Sequence, residues 1–156
     1  MSLMSLPNLK KYRTRTFIET GTQYGEGIKK ALQAGFTSIH SIEVDEELFT
    51  KAKEMFKGEK IVHLHLEKSQ ERLPTLLRQL SHRATFWLDA HGEFDSPLFL
   101  ELAAIKKHPI KDHIIIIDDV RLFRRYGFTL DAIQAYTKTI NKDYEFFYED
   151  GIHPHL

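Results

Sequence analysis

Apolar positions along this chain switch repeatedly between short extended runs and helical spacing. Thr16 to Glu19 reads as a strand that ends at Gly21, and Ile28, Ala31 and Leu32 share one helical face that Gly35 terminates. Ser38 to Val44 reads as a second strand. Asp45 suits the N-cap of the next helix, with Glu46 and Glu47 in its first turn. Leu48, Ala52, Met55 and Phe56 form the buried stripe of that helix, and Gly58 stands past its end. Lys60 to Leu66 alternates as a third strand, and Leu73, Leu76, Leu77 and Leu80 mark the inner face of a helix over 70–80. Ala84 to Asp89 predicts a fourth strand. Ser96 and Pro97 open a helix running to Lys107, which His108-Pro109 stops. His113 to Asp118 holds four consecutive isoleucines, apolar on both faces as a central parallel strand would be. A helix over Thr129 to Asn141 and a sixth strand over Tyr144 to Tyr148 complete the pattern.

Strands alternating with helices predict a doubly wound, mostly parallel α/β sheet with helices on both faces. The 156 residues suit one domain with one core, and no repeat, linker or low-complexity tract divides them. The domain is expected over 4–156, the repeated Met-Ser-Leu making 1–3 read as a cloning remnant. Ligands of such sheets bind beyond the carboxyl ends of the strands. Glu19, Glu43, Asp89, Asp118 and Asp119 each stand where a strand is expected to stop.

Charge narrows the partners. Lys plus Arg equals Asp plus Glu at 22 each, so no uniform positive field draws nucleic acid, and no nucleic-acid partner is expected. The chain has no cysteine, which removes disulfides, thiolate metal sites and cysteine nucleophiles and suits a reducing, cytoplasmic setting. No apolar run approaches the roughly 20 residues of a membrane span, and the N-terminus lacks a signal-peptide core, so no membrane partner is expected.

The segment FIETGTQYGEG follows the first strand. Gly21 allows a tight turn there, and Gly25 allows close backbone approach to a ligand. Glu43 ends the second strand, where a carboxylate can accept hydrogen bonds from both hydroxyls of a ribose. Gln23 occupies a position that the dinucleotide fingerprint reserves for glycine, and no P-loop is present. A nicotinamide-dependent oxidoreductase is thereby disfavoured.

These residues resemble the class I S-adenosylmethionine-dependent methyltransferases, which carry an acidic-x-Gly-x-x-x-Gly turn after the first strand and an acidic residue ending the second. Glu19, Gly21 and Gly25 match the first element and Glu43 the second; the resemblance runs in order over about residues 14 to 125. It implies that Glu19 and the turn through Thr22 face the methionine part of S-adenosylmethionine, that Glu43 holds the ribose, and that Ser69 lies beside adenine. The charge agrees, because a turn carrying Glu19 suits a cationic sulfonium and repels a pyrophosphate.

WLDAHGE and IIIIDDVR close the fourth and fifth strands. Asp89, Asp118 and Asp119 are expected to converge there, and three carboxylates suit a hard cation, magnesium first, with manganese or calcium as alternatives. This arrangement resembles the metal-dependent O-methyltransferase branch. It implies methyl transfer to a hydroxyl of a small molecule, with Asp89, His91 and Asp118 at the chemistry and His91 as candidate general base or further metal contact. A methyltransferase without metal and a non-catalytic nucleotide- or S-adenosylmethionine-binding module are the competing readings.

Arg121, Arg124 and Arg125 could grip an anionic substrate group, although a solvated face that offsets the aspartates is the commoner role. Trp87 and Phe86 suit the core; Phe94 is a pocket candidate. His63 and His65 alternate along a strand and suit a structural role, and His153 and His155 stand in the tail. The resemblance calls for a seventh, antiparallel strand that IHPHL can scarcely begin, so a trimmed sheet or an edge completed by a homodimer mate is expected.

Overall fold

A computed structural model describes residues 9–149. Five strands form one parallel sheet in the order β3-β2-β1-β4-β5. They are β1 (Thr16–Thr20), β2 (Ser38–Glu43), β3 (Val62–Leu66), β4 (Ala84–Leu88) and β5 (Ile114–Ile117). The helices between them are α1 (Glu26–Ala34), α2 (Glu46–Met55), α3 (Ser69–Gln79) and α4 (Leu98–Lys107), with α5 (Leu130–Ile140) after β5. Short 3-10 helices cover Leu9–Tyr12 and Val120–Tyr126. No described helix is long and apolar enough to cross a membrane.

Alternation along the strands splits the core in two. Phe17, Ile39 and Trp87 meet Ile28, Ala31 and Ala34 of α1 and Ala52 of α2 on one face. Ile18, Ile42, Phe86 and Leu88 meet Leu73, Leu77, Leu102, Ile105 and Ile133 from α3, α4 and α5 on the other. Parallel register sets Glu19 opposite Ser41 on one side and Trp87 on the other. The strand order reverses at β1, and the crevice past β1 and β4 is therefore the switch point where such sheets take ligands.

The helix caps follow the sequence. Asp45 accepts from Leu48 N at 2.9 Å and Thr129 from Ala132 N at 3.1 Å, while Gly35 closes α1 in the left-handed region at φ 84°. Ser96 accepts from Leu98 N, with Pro97 at the cap itself.

Two expectations are corrected. Tyr144 to Tyr148 forms no strand, and among the described residues β5 is an edge strand, not a central one. All four isoleucines are only half-buried, since β5 pairs with β4 on one side while its other side lines a cavity. A short apolar run looks alike whether its second flank holds a strand or a pocket. The tail that includes His153 and His155 lies outside the described residues.

Candidate active site

Glu19 is the centre from which the site is built. It sits near the end of β1, 4% exposed, and its Oε1 accepts a 2.6 Å hydrogen bond from Ser41. Ser41 in turn takes the Thr22 hydroxyl at 2.5 Å. Burial pushes the Glu19 carboxyl up to about 8; the Ser41 hydrogen bond opposes this, and neighbouring Asp89 and Glu43 add to it. A buried carboxyl this basic is a strong receptor for a cation, because bringing positive charge beside it restores the ionised form.

The turn after β1 is shaped around that carboxyl. Gly21 has φ 83°, and a β-carbon there would lie 2.8 Å from the Asp89 carbonyl oxygen. Its N–H and that of Thr22 both donate to Ile42 O, at 2.9 and 3.2 Å. Gly25 starts α1 at φ 78° and packs on the Phe56 ring. Gly27, which the sequence motif did not single out, is the tightest of the three: a β-carbon would fall 1.8 Å from Glu19 Oε2. The first turn of α1 therefore lies directly against the carboxylate. The third glycine in GTQYGEG was the available signal.

Glu43 is 6% exposed and fixes backbone. Its Oε1 accepts from Val44 N and Asp45 N, each at 2.9 Å, and its Oε2 accepts from Gln23 N at 2.8 Å. That last bond holds Gln23 at φ 47°. Among the described residues only Gln23 and Asp119 are non-glycines at positive φ, and both stand in this site, a placement typical of strain kept for function.

Glu19, Gly21, Thr22 and Asp89 come together around a small cleft of about 40 Å³, with Tyr24, Lys30 and Trp87. Glu43, Gly25 and Ser69 do not line it. Trp87 serves both core and cleft, and its indole Nε1 is buried without a hydrogen-bond partner. Ser69 opens α3 beside Glu101, a carboxyl 1% exposed. Burial pushes Glu101 up to about 7; the Ser69 and Thr20 hydroxyls oppose this and Asp89 reinforces it. An acid within the apolar run LFLELAAI was its unread signal.

Beyond β4 lies a second cluster. His91 Nε2 is 3.1 Å from Asp119 Oδ2 and 3.3 Å from Asp89 Oδ1. One ligand atom from each of the three lies within 4.8 Å of the others, a spacing that could hold a metal ion. Asp118 is absent from this group. It is buried, and its Oδ1 accepts from Asp119 N at 2.7 Å, so the outward ligand position passes to His91. The hydrogen bonds to Asp119 and Asp89 push His91 up to about 10, against its burial, which favours the imidazolium over the neutral ring that a general base requires. Burial raises Asp89 to about 6, opposed by His91. Tyr126 Oη is 3.2 Å from His91 Nδ1 and donates to Gly92 O.

Arg121 Nε lies 3.3 Å from Asp119 Oδ1, offsetting its charge, and Arg124 and Arg125 are exposed. Phe94 is 80% exposed and lines neither cavity.

With that geometry in place, comparison with known proteins is informative about fold. No protein-family profile and no curated protein matches this sequence. Solved structures do. A SAH-bound methyltransferase from Podospora anserina is similar at TM-score 0.59 and 15% identity over 82% of this chain and 60% of that one. A TehB-like SAM-dependent methyltransferase from Corynebacterium glutamicum gives 0.55 and 14%, over 82% and 65%. The chain thus spans about three-fifths of the length of these neighbours. This is the Rossmann-like methyltransferase fold. A spermidine synthase from Thermotoga maritima matches at TM-score 0.55 and 11% identity, over 90% of this chain and 47% of that one, so the fold by itself does not name the group transferred.

Proposed function

We propose that this protein is an S-adenosylmethionine-dependent methyltransferase acting on a hydroxyl of a small molecule, assisted by a divalent metal ion. The observation that carries the reading is the buried Glu19 carboxyl, seated under the glycine turn and facing a cleft with the unpaired Trp87 indole N–H. An orphaned buried donor and a carboxyl whose ionisation burial opposes both suit a ligand that brings an acceptor and a cation.

When bound, S-adenosylmethionine would supply a methyl carbon: the oxygen–carbon bond would form as the carbon–sulfur bond breaks, the electron pair staying on sulfur and the hydroxyl proton passing to solvent water. Glu19 and Trp87 would hold the methionine end. Glu43 keeps the turn in place through Gln23 and retains lone-pair capacity on Oε2 for a ribose hydroxyl. A metal would be held by Asp89, His91 and Asp119, lowering the pKa of an acceptor hydroxyl. An imidazole between two carboxylates moves the preference from magnesium toward manganese or another borderline ion.

Titration calorimetry with S-adenosylmethionine tests the donor reading: Glu19→Ala is expected to weaken binding at least tenfold, and absence of binding to the unaltered protein removes it. Manganese titration of the unaltered protein and of Asp119→Asn tests the metal. Turnover that persists in chelator would support the metal-independent route.

A further inference from the structure

Parallel strands joined by helices bring the strand starts and the helix ends to one pole of the sheet, opposite the glycine turn. Six described segments meet there: 9–15, 33–38, 53–61, 78–83, 106–113 and 138–149. Together they hold fourteen Lys and Arg against six Asp and Glu, in a chain whose total is balanced. Acids at the ligand-facing pole offset that excess, so a net charge of zero conceals a strong charge dipole. All fourteen basic residues are exposed. Among the described residues only two of them stand in ion pairs, Lys57 with Glu54 and Arg83 with Asp112.

Helix chemistry accounts for part of this. Lys53, Arg78, Lys106, Lys107 and Lys138 lie in last turns, where they complement the helix dipole, and Arg13 and Lys111 donate to the helix carbonyls of Ala34 and Lys106. Lys10, Lys11 and Arg15 ahead of β1, Lys60 ahead of β3 and Arg83 ahead of β4 belong to no α-helix and need another reason. Ten of the fourteen are lysines, compact point charges that suit a diffuse anionic layer, whereas recognition of individual phosphates along a nucleic acid draws on the arginine fork. They line no groove either: of the fourteen, only Arg83 borders either cavity. Aromatic rings stand among these cations. Phe147 is 70% exposed with Lys11 Nζ 5.9 Å from its ring centre, and Lys138 Nζ lies 5.6 Å over Phe146. Exposed rings flanked by lysines suit a membrane interface, the ring entering the acyl boundary while the ammonium stays among headgroups.

We propose that this pole docks on an anionic lipid bilayer, its lysines against acidic headgroups and Phe146 and Phe147 dipping into the interface. Attachment is peripheral and needs no spanning helix. Asp143, Glu145 and Glu149 share the segment with the two rings, and Glu149 is taken up by the Tyr12 hydroxyl, so the attraction comes from 9–15, 78–83 and 106–113. The acid-rich pole is repelled by the same surface. The Glu19 cleft therefore faces away from the bilayer and stays open to solvent.

Co-sedimentation of the whole chain with vesicles tests this. At about 0.1 M salt, binding is expected on phosphatidylcholine vesicles holding about one-third phosphatidylserine, at least tenfold tighter than on phosphatidylcholine alone, and is lost at about 0.5 M salt. Two paired reversals on separate elements, Lys10→Glu with Lys11→Glu and Lys106→Glu with Lys107→Glu, should each weaken binding at least fivefold; a pair is read once its melting curve matches the unaltered protein. Arg124→Glu with Arg125→Glu, an exposed basic pair at the opposite pole, should leave binding unchanged. Phe147→Trp should be quenched by brominated acyl chains, while Trp87, buried in the core, is not. No preference for the phosphatidylserine vesicles overturns the inference, as does equal weakening by reversals at the two poles. An oligouridylate that displaces the protein from vesicles and binds more tightly through the same lysines would assign the pole to nucleic acid and overturn it too.

Discussion

At the scale of single residues, Glu19 ties electrostatics to ligand choice. Its carboxyl sits near 8 because burial penalises its charge. A sulfonium arriving beside it would favour the ionised form, so binding should expel a proton below about pH 8. The sign follows: affinity for S-adenosylmethionine is expected to rise with pH between 6 and 8, by up to about tenfold per unit, and to level off above 8. Calorimetry in two buffers of different ionisation enthalpy would reveal the released proton, and Glu19→Gln should abolish it. Gly27 offers a steric test. Because a β-carbon would press to within 1.8 Å of Glu19 Oε2, Gly27→Ala must displace the carboxylate. At least tenfold weaker donor binding with a largely retained circular-dichroism spectrum is the expected outcome. Two other histidines have purely internal work. His113 Nδ1 accepts from Ala84 N at 3.1 Å, so its Nε2 donates to His108 Nδ1, and His108 Nε2 donates to Leu80 O. These rings splice β4, α3 and α4 together.

Elements were legible to the extent that a local rule governs them. Periodicity located five helices and five strands, and caps such as Asp45, Thr129 and Gly35 marked ends because capping is settled within one turn of chain. The prediction at this scale is that Thr129→Ala destabilises the fold by about 1 kcal/mol, measured by urea denaturation, through loss of the bond to Ala132 N. Legibility ended where neighbours decide. The four isoleucines of β5 carry no mark of being an edge, and Tyr144–Tyr148 has strand composition without a paired partner. In the site, the acids at strand ends were readable, since each is placed by its own strand. His91 was readable too, as a further metal contact beside Asp89; the turning away of Asp118 was not, because it depends on the left-handed turn at Asp119. Gly27 and Glu101 were missed for a related reason: each makes sense only against a residue far along the chain.

For the whole molecule, the displaced titrations set a pH profile. Glu19 at about 8 and Glu101 at about 7 ionise in the unfolded chain before they do so in the native one, so each lowers stability as pH rises from about 4.5 to its native value. His91, near 10, contributes stability below about 6.5 that is lost as pH rises through 10. His40, His65 and His113, each pushed down to about 4 chiefly by burial, act oppositely, with stability falling as pH drops from 6.5 to 4. Between 4.5 and 6.5 these contributions offset one another; from 6.5 to 8 the acids and His91 act together. Urea midpoints should therefore be nearly level from pH 5 to 6.5 and fall steadily above it, with Glu19→Gln flattening the decline.

The placement of β1 in the middle of the sheet also governs how this chain reaches its native state. Thr16 aligns with Ser38 on one side, yet its other flank waits for Ala84, which arrives only after two complete helix–strand excursions. A ribosome releasing this polypeptide would thus expose one side of its central strand until β4 emerges. Folding rates should be limited by that distant closure rather than by helix formation, and the interval is when a holdase chaperone would find the most to bind.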